Sequence, residues 1–335
     1  MRTATPRLTI LLVGASGVVG QALIPKLAPH RVIGLTHRQV NLTGCETLPG
    51  DLTRPWLGLA GEDHRRLAAD VDVVIHSGAL TEWGLKYERY QSVNVDGARH
   101  VLELAEQARA PVHFMSTCFV HALAPAAPVT MSESNVVLPY ITSKLQAERL
   151  LRESGHPVTI YRPTNLVGDS RTGASSEPQI VQAVSDWICH GRAPYFPAHP
   201  GNLIDVAPQD MLADAVRCAV EAGDVGADYW ITYGDAAMAV EETLEICLEH
   251  AHRRGRPVPA PPIVDPSRPL PIPLDDVDPW SRSFVSVLLD VSETVAACGG
   301  VLPSSLADLR AAHGLEPPCD RESYRRSLRY WAEAA

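Results

Sequence analysis

Tyr140 and Lys144 stand four apart in Tyr140-Ile141-Thr142-Ser143-Lys144. On a helix that spacing puts both side chains on one face. A free phenol titrates at about 10 and is a poor acid–base group at neutral pH. An ammonium beside it favours the phenolate, and the same ammonium can hydrogen-bond a ribose. The bland alternative is an exposed helical pair. Nine tyrosines and three lysines in 335 residues give roughly 0.08 such pairs by chance, so the spacing alone is only suggestive. Twenty-three residues before Tyr140, Ser116-Thr117 offers hydroxyls that can bind a carbonyl oxygen as charge develops on it. Thr117 is the first candidate and Ser116 the second, although both types also cap strand ends. Cys118 follows, and without a positioned histidine it reads as packing, not as a nucleophile.

A second group of residues points to a nucleotide. Gly14-Ala15-Ser16-Gly17-Val18-Val19-Gly20 follows an apolar run and opens a helix-like one. Glycines there permit a tight turn and a close approach of backbone to a pyrophosphate lying on the helix N-terminus. A glycine-rich turn with no ligand is the competing reading. Past the second strand, Gly34-Leu35-Thr36-His37-Arg38 has no carboxylate for the ribose hydroxyls of NAD. Arg38, with His37, is suited to the 2′-phosphate of NADPH through charge-assisted bonds; a solvated arginine is the alternative. Asp51-Leu52 either meets an adenine or forms a turn ahead of Thr53 and Pro55. His76-Ser77-Gly78-Ala79 ends another strand, and its small residues let a cofactor backbone pass closely; His76 itself reads as structural.

These groups need a scaffold that brings strand ends together. Strand-like runs at Leu8–Val13, Arg31–Leu35, Val71–His76, Val112–Ser116, Val158–Tyr161 and Tyr229–Tyr233 alternate with helical ones at Val18–Leu27, Val95–Gln107, Tyr140–Glu153, Ile180–Cys189 and Met211–Glu221. Alternation of this kind predicts an α/β fold, a doubly wound parallel (Rossmann) sheet. A smaller, mainly helical C-terminal region is expected to cap the substrate. The predicted division is residues 1–170 for the nucleotide-binding domain, with 203–235 returning to it. The capping region is then 171–202 and 236–335. Residues 257–273 hold eight prolines and form an extended connector. Helices at Val240–His252, Ser283–Ala297, Ser304–His313 and Arg321–Ala334 flank it.

Composition narrows the class. Hydrophobic residues are 45% and charged residues 20%, which is ordinary for a globular enzyme. The net charge of −10 repels nucleic acid and anionic membrane at long range, so neither is an expected partner. Seven cysteines lack any Cys-x-x-Cys pair, which argues against a zinc site or disulfide framework, so no metal is predicted and a reducing cytoplasm is. Arg2 and Arg7 before Leu8–Val13 imitate a signal peptide, but the glycine turn follows at once and a first strand is the better reading.

As a set, the glycine motif, Asp51-Leu52, Asn94-Val95-Asp96-Gly97, Ser116-Thr117 and Tyr140/Lys144 resemble the extended short-chain dehydrogenase/reductase family, over roughly residues 8–250. The resemblance implies Thr117, Tyr140 and Lys144 as the catalytic group, with Asn94 supporting a proton relay. Within that family, Tyr161-Arg162-Pro163-Thr164-Asn165-Leu166-Val167-Gly168-Asp169-Ser170-Arg171-Thr172-Gly173 is similar to the Arg-Pro … Gly-Asp-Ser-Arg-Thr-Gly signature of the thioester-reductase branch. That branch closes nonribosomal peptide synthetases and carboxylic acid reductases. His76–Ala79 and Asp205-Val206-Ala207-Pro208-Gln209-Asp210 also resemble its patterns. The likeness implies Pro163, Asn165, Leu166 and Arg171 among the cofactor-binding residues. It also implies transfer of a hydride from NADPH to a carrier-bound acyl thioester, releasing aldehyde or alcohol.

Because the chain begins with the nucleotide-binding strand, the expectation is a stand-alone reductase with an acyl or peptidyl carrier protein in trans. Arg253, Arg254, Arg256, Arg321, Arg325, Arg326 and Arg329 are candidates to dock an acidic carrier, against the plainer role of offsetting helix dipoles. A reductase of a free small carbonyl metabolite uses the same residues. A sugar-nucleotide epimerase would want the acid missing after the second strand. A cofactor-sensing protein without chemistry would have no use for Tyr140/Lys144. Trp83, Trp187 and Trp280 are candidates to line the substrate pocket, and a homodimer through the helices near Val95 and Tyr140 is the family expectation.

Overall fold

The computed structural model describes residues 6–334; Arg2 lies outside them. Seven parallel strands make the sheet: β1 (Thr9–Val13), β2 (Arg31–Thr36), β3 (Glu46–Pro49), β4 (Val73–His76), β5 (Val112–Met115), β6 (Val158–Pro163) and β7 (Asp228–Ile231). Their order is β7-β6-β5-β4-β1-β2-β3. The order reverses direction between β1 and β4, and ligands of such sheets bind outside the strand C-termini at that switch.

Each face of the sheet is buried, which is why β1 is a continuous apolar run. Ile10 and Leu12 point into one core with α1 (Val18–Lys26), α6 (Gln209–Ala222) and α9 (Leu306–His313). Leu11 and Val13 point into the other, with α2 (Gly61–Asp70), α3 (Asp96–Ala108) and α4 (Leu138–Glu153). A third core lies beyond the sheet, built by α5 (Ile180–Cys189), α7 (Val240–Arg253), α8 (Pro279–Ala297) and α10 (Asp320–Ala334). Trp187 is at its centre with no exposed surface, and Trp280 is half exposed beside Arg192. The proline-rich connector, residues 257–273, contains no helix, one short strand and a turn at 266–268. Its Ile263–Val264 pairs parallel with Phe196–Pro197, and Val258 and Leu270 pack on the third core. Among the described residues no helix is long and apolar enough to cross a membrane.

Candidate active site

The glycine motif turns from β1 into α1 at the switch point. Gly14 has φ +83°, and a Cβ there would sit 2.5 Å from the backbone nitrogen of Gly78. Gly20 is equally forced, because its Cβ would meet the Gly14 carbonyl oxygen at 2.4 Å. Gly17 is different: no protein atom approaches its Cβ position closer than 3.5 Å. Gly17 also caps α1, where no side chain and no acidic residue satisfies the first amides. Open space beside unpartnered helix N–H groups fits a pyrophosphate. Ser16 is exposed there, and buried Val18 and half-buried Val19 have only backbone amides to offer.

The neighbouring strand ends complete the cradle. Ser77 donates from both its amide and its hydroxyl to the Val13 carbonyl, at 2.9 Å each, which holds Gly78 and Ala79 beside Gly14. His37 and Arg38 are exposed beyond β2, and among the described residues Arg38 has no ion-pair partner. The Asp51 carboxylate accepts from the Thr53 amide at 2.9 Å and hydroxyl at 2.7 Å, which lower its pKa. So Asp51 builds a turn, and Leu52 packs under Gly78 and Gly97.

The reactive group sits at the exit of β5. Thr117 is buried there and caps the turn Cys118–Leu123, and the Ser116 hydroxyl is buried without a partner. Tyr140 and Lys144 lie one turn apart on α4, both buried. Burial pushes the Tyr140 phenol above its ordinary value, opposed by the Thr117 hydroxyl. This differs from the phenolate expected from a lysine neighbour. The reason is that Lys144 donates to the Met115 carbonyl and lies 4.4 Å over the Phe114 ring. Burial pushes Lys144 down to about 7, with Glu148 opposing.

Asn94 lies in a π-helical turn, Gln91–Val95, that enters α3. Its amide accepts from Leu80 N at 2.8 Å and donates to Leu80 O at 3.1 Å and Ser143 Oγ at 3.0 Å. Ser143 in turn donates to the Tyr140 carbonyl at 2.6 Å. Both amide hydrogens are committed, so Asn94 holds a loop and braces α4. Ser143 escaped the sequence reading although it lies inside the Tyr140–Lys144 motif.

The signature segment leaves β6 on the opposite side. Arg162 forms a two-armed bond to buried Glu148 at 2.9 and 2.6 Å and stacks 4.5 Å from Trp230. Glu148 had a sequence signal, one further turn along the Tyr140/Lys144 face. Pro163 is buried, and Asn165 and Leu166 are half-buried in a short strand paired with Val206–Pro208. Asp169 accepts from Arg171 N, Thr172 N and Thr172 Oγ1, leaving the Arg171 side chain exposed. Asp210 grips Ser170 through its amide and hydroxyl. Helix α10 closes over this loop: Ser327 accepts from Gly168 N at 3.3 Å and Arg326 donates to Ser170 O at 2.7 Å.

Asp205 ties this wall to β7. One carboxylate oxygen accepts from Tyr233 N at 2.8 Å and Gly234 N at 3.0 Å, while the other is buried without a partner. Burial raises its pKa to about 7, with Asp320 adding to the rise. The folded state therefore holds a proton that an unfolded aspartate releases at about 4. That contribution is complete below about pH 4 and is lost as pH rises through about 7. Relative to wild type, Asp205→Asn should gain stability between pH 4 and 8, by up to roughly 4 kcal/mol. Urea unfolding of both proteins across that range checks it; a difference independent of pH would refute the bound proton.

The tail arginines are mostly spent internally. Glu249 takes Arg253 and Arg325, Glu242 takes Arg321, and Glu322 takes Arg326 and Arg329. Arg254 donates to the Ala332 carbonyl and Arg256 contacts His190. Only Arg253 and Arg254, at the end of α7, and the Arg254 bond to Ala332 stand at helix C-termini; the other pairs link side chains along and between α7 and α10.

The NAD-binding family described as male sterility protein matches residues 30–216. The hybrid PKS-NRPS synthetase pvhA of Talaromyces variabilis is 31% identical over 236 residues, covering 64% of this chain and 6% of that protein. A linear gramicidin synthase of Brevibacillus parabrevis is 33% identical over 180 residues, covering 50% of this chain and 4% of that one. The chain thus spans only a small part of the length of these curated relatives. Among solved structures, the terminal R domain from the myxalamid PKS-NRPS biosynthetic pathway superposes with a TM-score of 0.75 at 26% identity, over 99% of this chain and 92% of that one. The chain belongs to the NAD-binding male sterility protein family, and is an extended short-chain oxidoreductase homologous to the terminal reductase domains of PKS-NRPS synthetases.

Proposed function

We propose that this protein is an NADPH-dependent reductase of a carrier-bound acyl thioester, yielding an aldehyde or alcohol, with the carrier acting in trans. The observation that carries the reading is the convergence of Thr117, Tyr140 and Lys144 at the exit of β5, two strands from β1 and its glycine turn. The residues of that cradle fit a dinucleotide. Gly14 to Val19 would hold the pyrophosphate, Ser77 to Ala79 its passage, and His37 and Arg38 the 2′-phosphate. When bound, NADPH supplies the hydride that adds to the thioester carbonyl carbon. Thr117 and Tyr140 hold the carbonyl oxygen, and Tyr140, kept protonated by burial, gives it a proton. Lys144 orients the nucleotide ribose. The C–S bond of the resulting hemithioacetal then breaks as its hydroxyl proton returns to Tyr140, releasing the aldehyde and a thiolate that takes its proton from water. The seven free cysteines support a reducing cytoplasm.

The test is to incubate the protein with NADPH or NADH and a panel of acyl thioesters and matching aldehydes, identifying products by mass. Aldehyde or alcohol formed from thioester supports the proposal. Reaction of free aldehydes alone would replace it with reduction of a free carbonyl. Arg38→Ala should raise KM for NADPH by roughly tenfold or more, the worth of one or two charge-assisted bonds. The KM for NADH should move far less. Equal shifts for both would show that Arg38 does not select the cofactor.

A further inference from the structure

The loop from Leu80 to Leu85 is fixed at several points, which is more than a surface connection needs. Asn94 grips the Leu80 backbone on both its amide and its carbonyl. The Tyr90 hydroxyl donates to the Glu82 carbonyl and accepts from Leu85 N at 3.4 Å. Gly84, with φ +78°, donates to the Val136 carbonyl at 3.2 Å. Asn94 and Tyr90 both also face the catalytic helix: Asn94 through Ser143, and Tyr90 with its ring 6.1 Å from that of Tyr140.

What this anchored loop presents is Trp83. Its ring meets Phe119 edge-on at 6.5 Å, and Phe119 is two residues past Thr117. Of the three tryptophans considered for the pocket, Trp187 is sealed in the third core and Trp280 sits with Arg192. Trp83 alone joins the cluster around Tyr140, and it stays half-buried there. Leu80 and Leu85 flank it and Val291 of α8 joins the same apolar cluster; of the charges at its edge, Arg162 over Trp230 is already paired with Glu148, and Glu82 is itself an exposed anion. A charged group brought against such a surface loses water and gains no partner.

We propose that Trp83 is a specificity-determining residue, forming with Phe119 an apolar wall for the acyl chain, so that the enzyme takes uncharged aliphatic acyl groups longer than acetyl. This rests on the thioester reading above. The experiment measures kcat/KM with NADPH for acetyl, hexanoyl and succinyl thioesters of N-acetylcysteamine. Acetaldehyde and hexanal form a parallel series. Wild type, Trp83→Ala and Trp83→Phe are compared. Wild type should prefer hexanoyl over acetyl by at least roughly tenfold, and over succinyl by more. Trp83→Ala should cut the hexanoyl-to-acetyl ratio by roughly tenfold, mainly through KM, and Trp83→Phe should recover most of it. An unchanged ratio in Trp83→Ala overturns the wall while leaving thioester reduction standing. Inert thioesters with a Trp83-dependent hexanal preference keep the wall and overturn the thioester reading. No turnover in either series overturns both.

Discussion

Tyr140→Phe is expected to lower turnover by roughly 10²- to 10⁴-fold, the usual worth of a positioned acid–base group. The ring remains, so its packing against Tyr90 and the α4 helix is kept, and NADPH affinity should change by less than tenfold. The phenol is held protonated by burial, so its role as a donor should be steady across neutral pH. Lys144, pushed down to about 7 by burial, should set the alkaline limit. Wild-type activity should fall as pH rises beyond about 7, where the ammonium is lost. Single-turnover rates with NADPH at pH 6 to 9 check both statements. A Tyr140→Phe protein that keeps full turnover would remove the mechanism altogether.

Gly173→Ala carries the second large effect. Gly173 has φ +75°, and its Cβ would lie 2.2 Å from the Arg326 carbonyl oxygen and 2.8 Å from Ser327 N. Both are backbone atoms of α10 and cannot rotate away. Left-handed strain adds about 1–2 kcal/mol to the overlap, giving roughly 3 kcal/mol in all and a Tm lower by roughly 5–10 °C. Gly155→Ala is the control, since Gly155 has φ +71° with nothing within 4 Å. It should lose only the strain. Equal losses at the two positions in thermal denaturation would show that the approach of α10 is not what the glycine serves.

The parts of the site that were legible in the sequence are those governed by local rules. The glycine turn, the missing acid after Thr36 and the one-turn spacing of Tyr140 and Lys144 follow from chain geometry that any such strand–turn–helix obeys. Strand alternation likewise carried the parallel sheet. What was illegible depends on contacts between distant segments. Nothing in the sequence near Asn94 says that its amide closes on Leu80. Nothing near Asp205 says that it reaches Tyr233. The bounds of the short β3 and the whole of α2 were out of reach, because Glu46–Pro49 has neither alternation nor an apolar run and α2 is strongly polar. The carboxylate partners of the tail arginines were likewise out of sight, because they lie on other turns and other helices.

The seal of α10 over the signature loop has a consequence for the order in which the molecule assembles. Ser327 and Gly168 are 159 residues apart, and Arg326 and Ser170 are 156 apart. Closing such spans costs more chain entropy than joining neighbouring strands, by about 0.6 kcal/mol for each doubling, and distant pairings form slowly. The nucleotide cradle uses mostly residues 9–79 and can order from nearby contacts. The far wall waits for a helix made some 150 residues later. On the ribosome, a chain still short of residue 320 has a place for the nucleotide before it has the wall opposite.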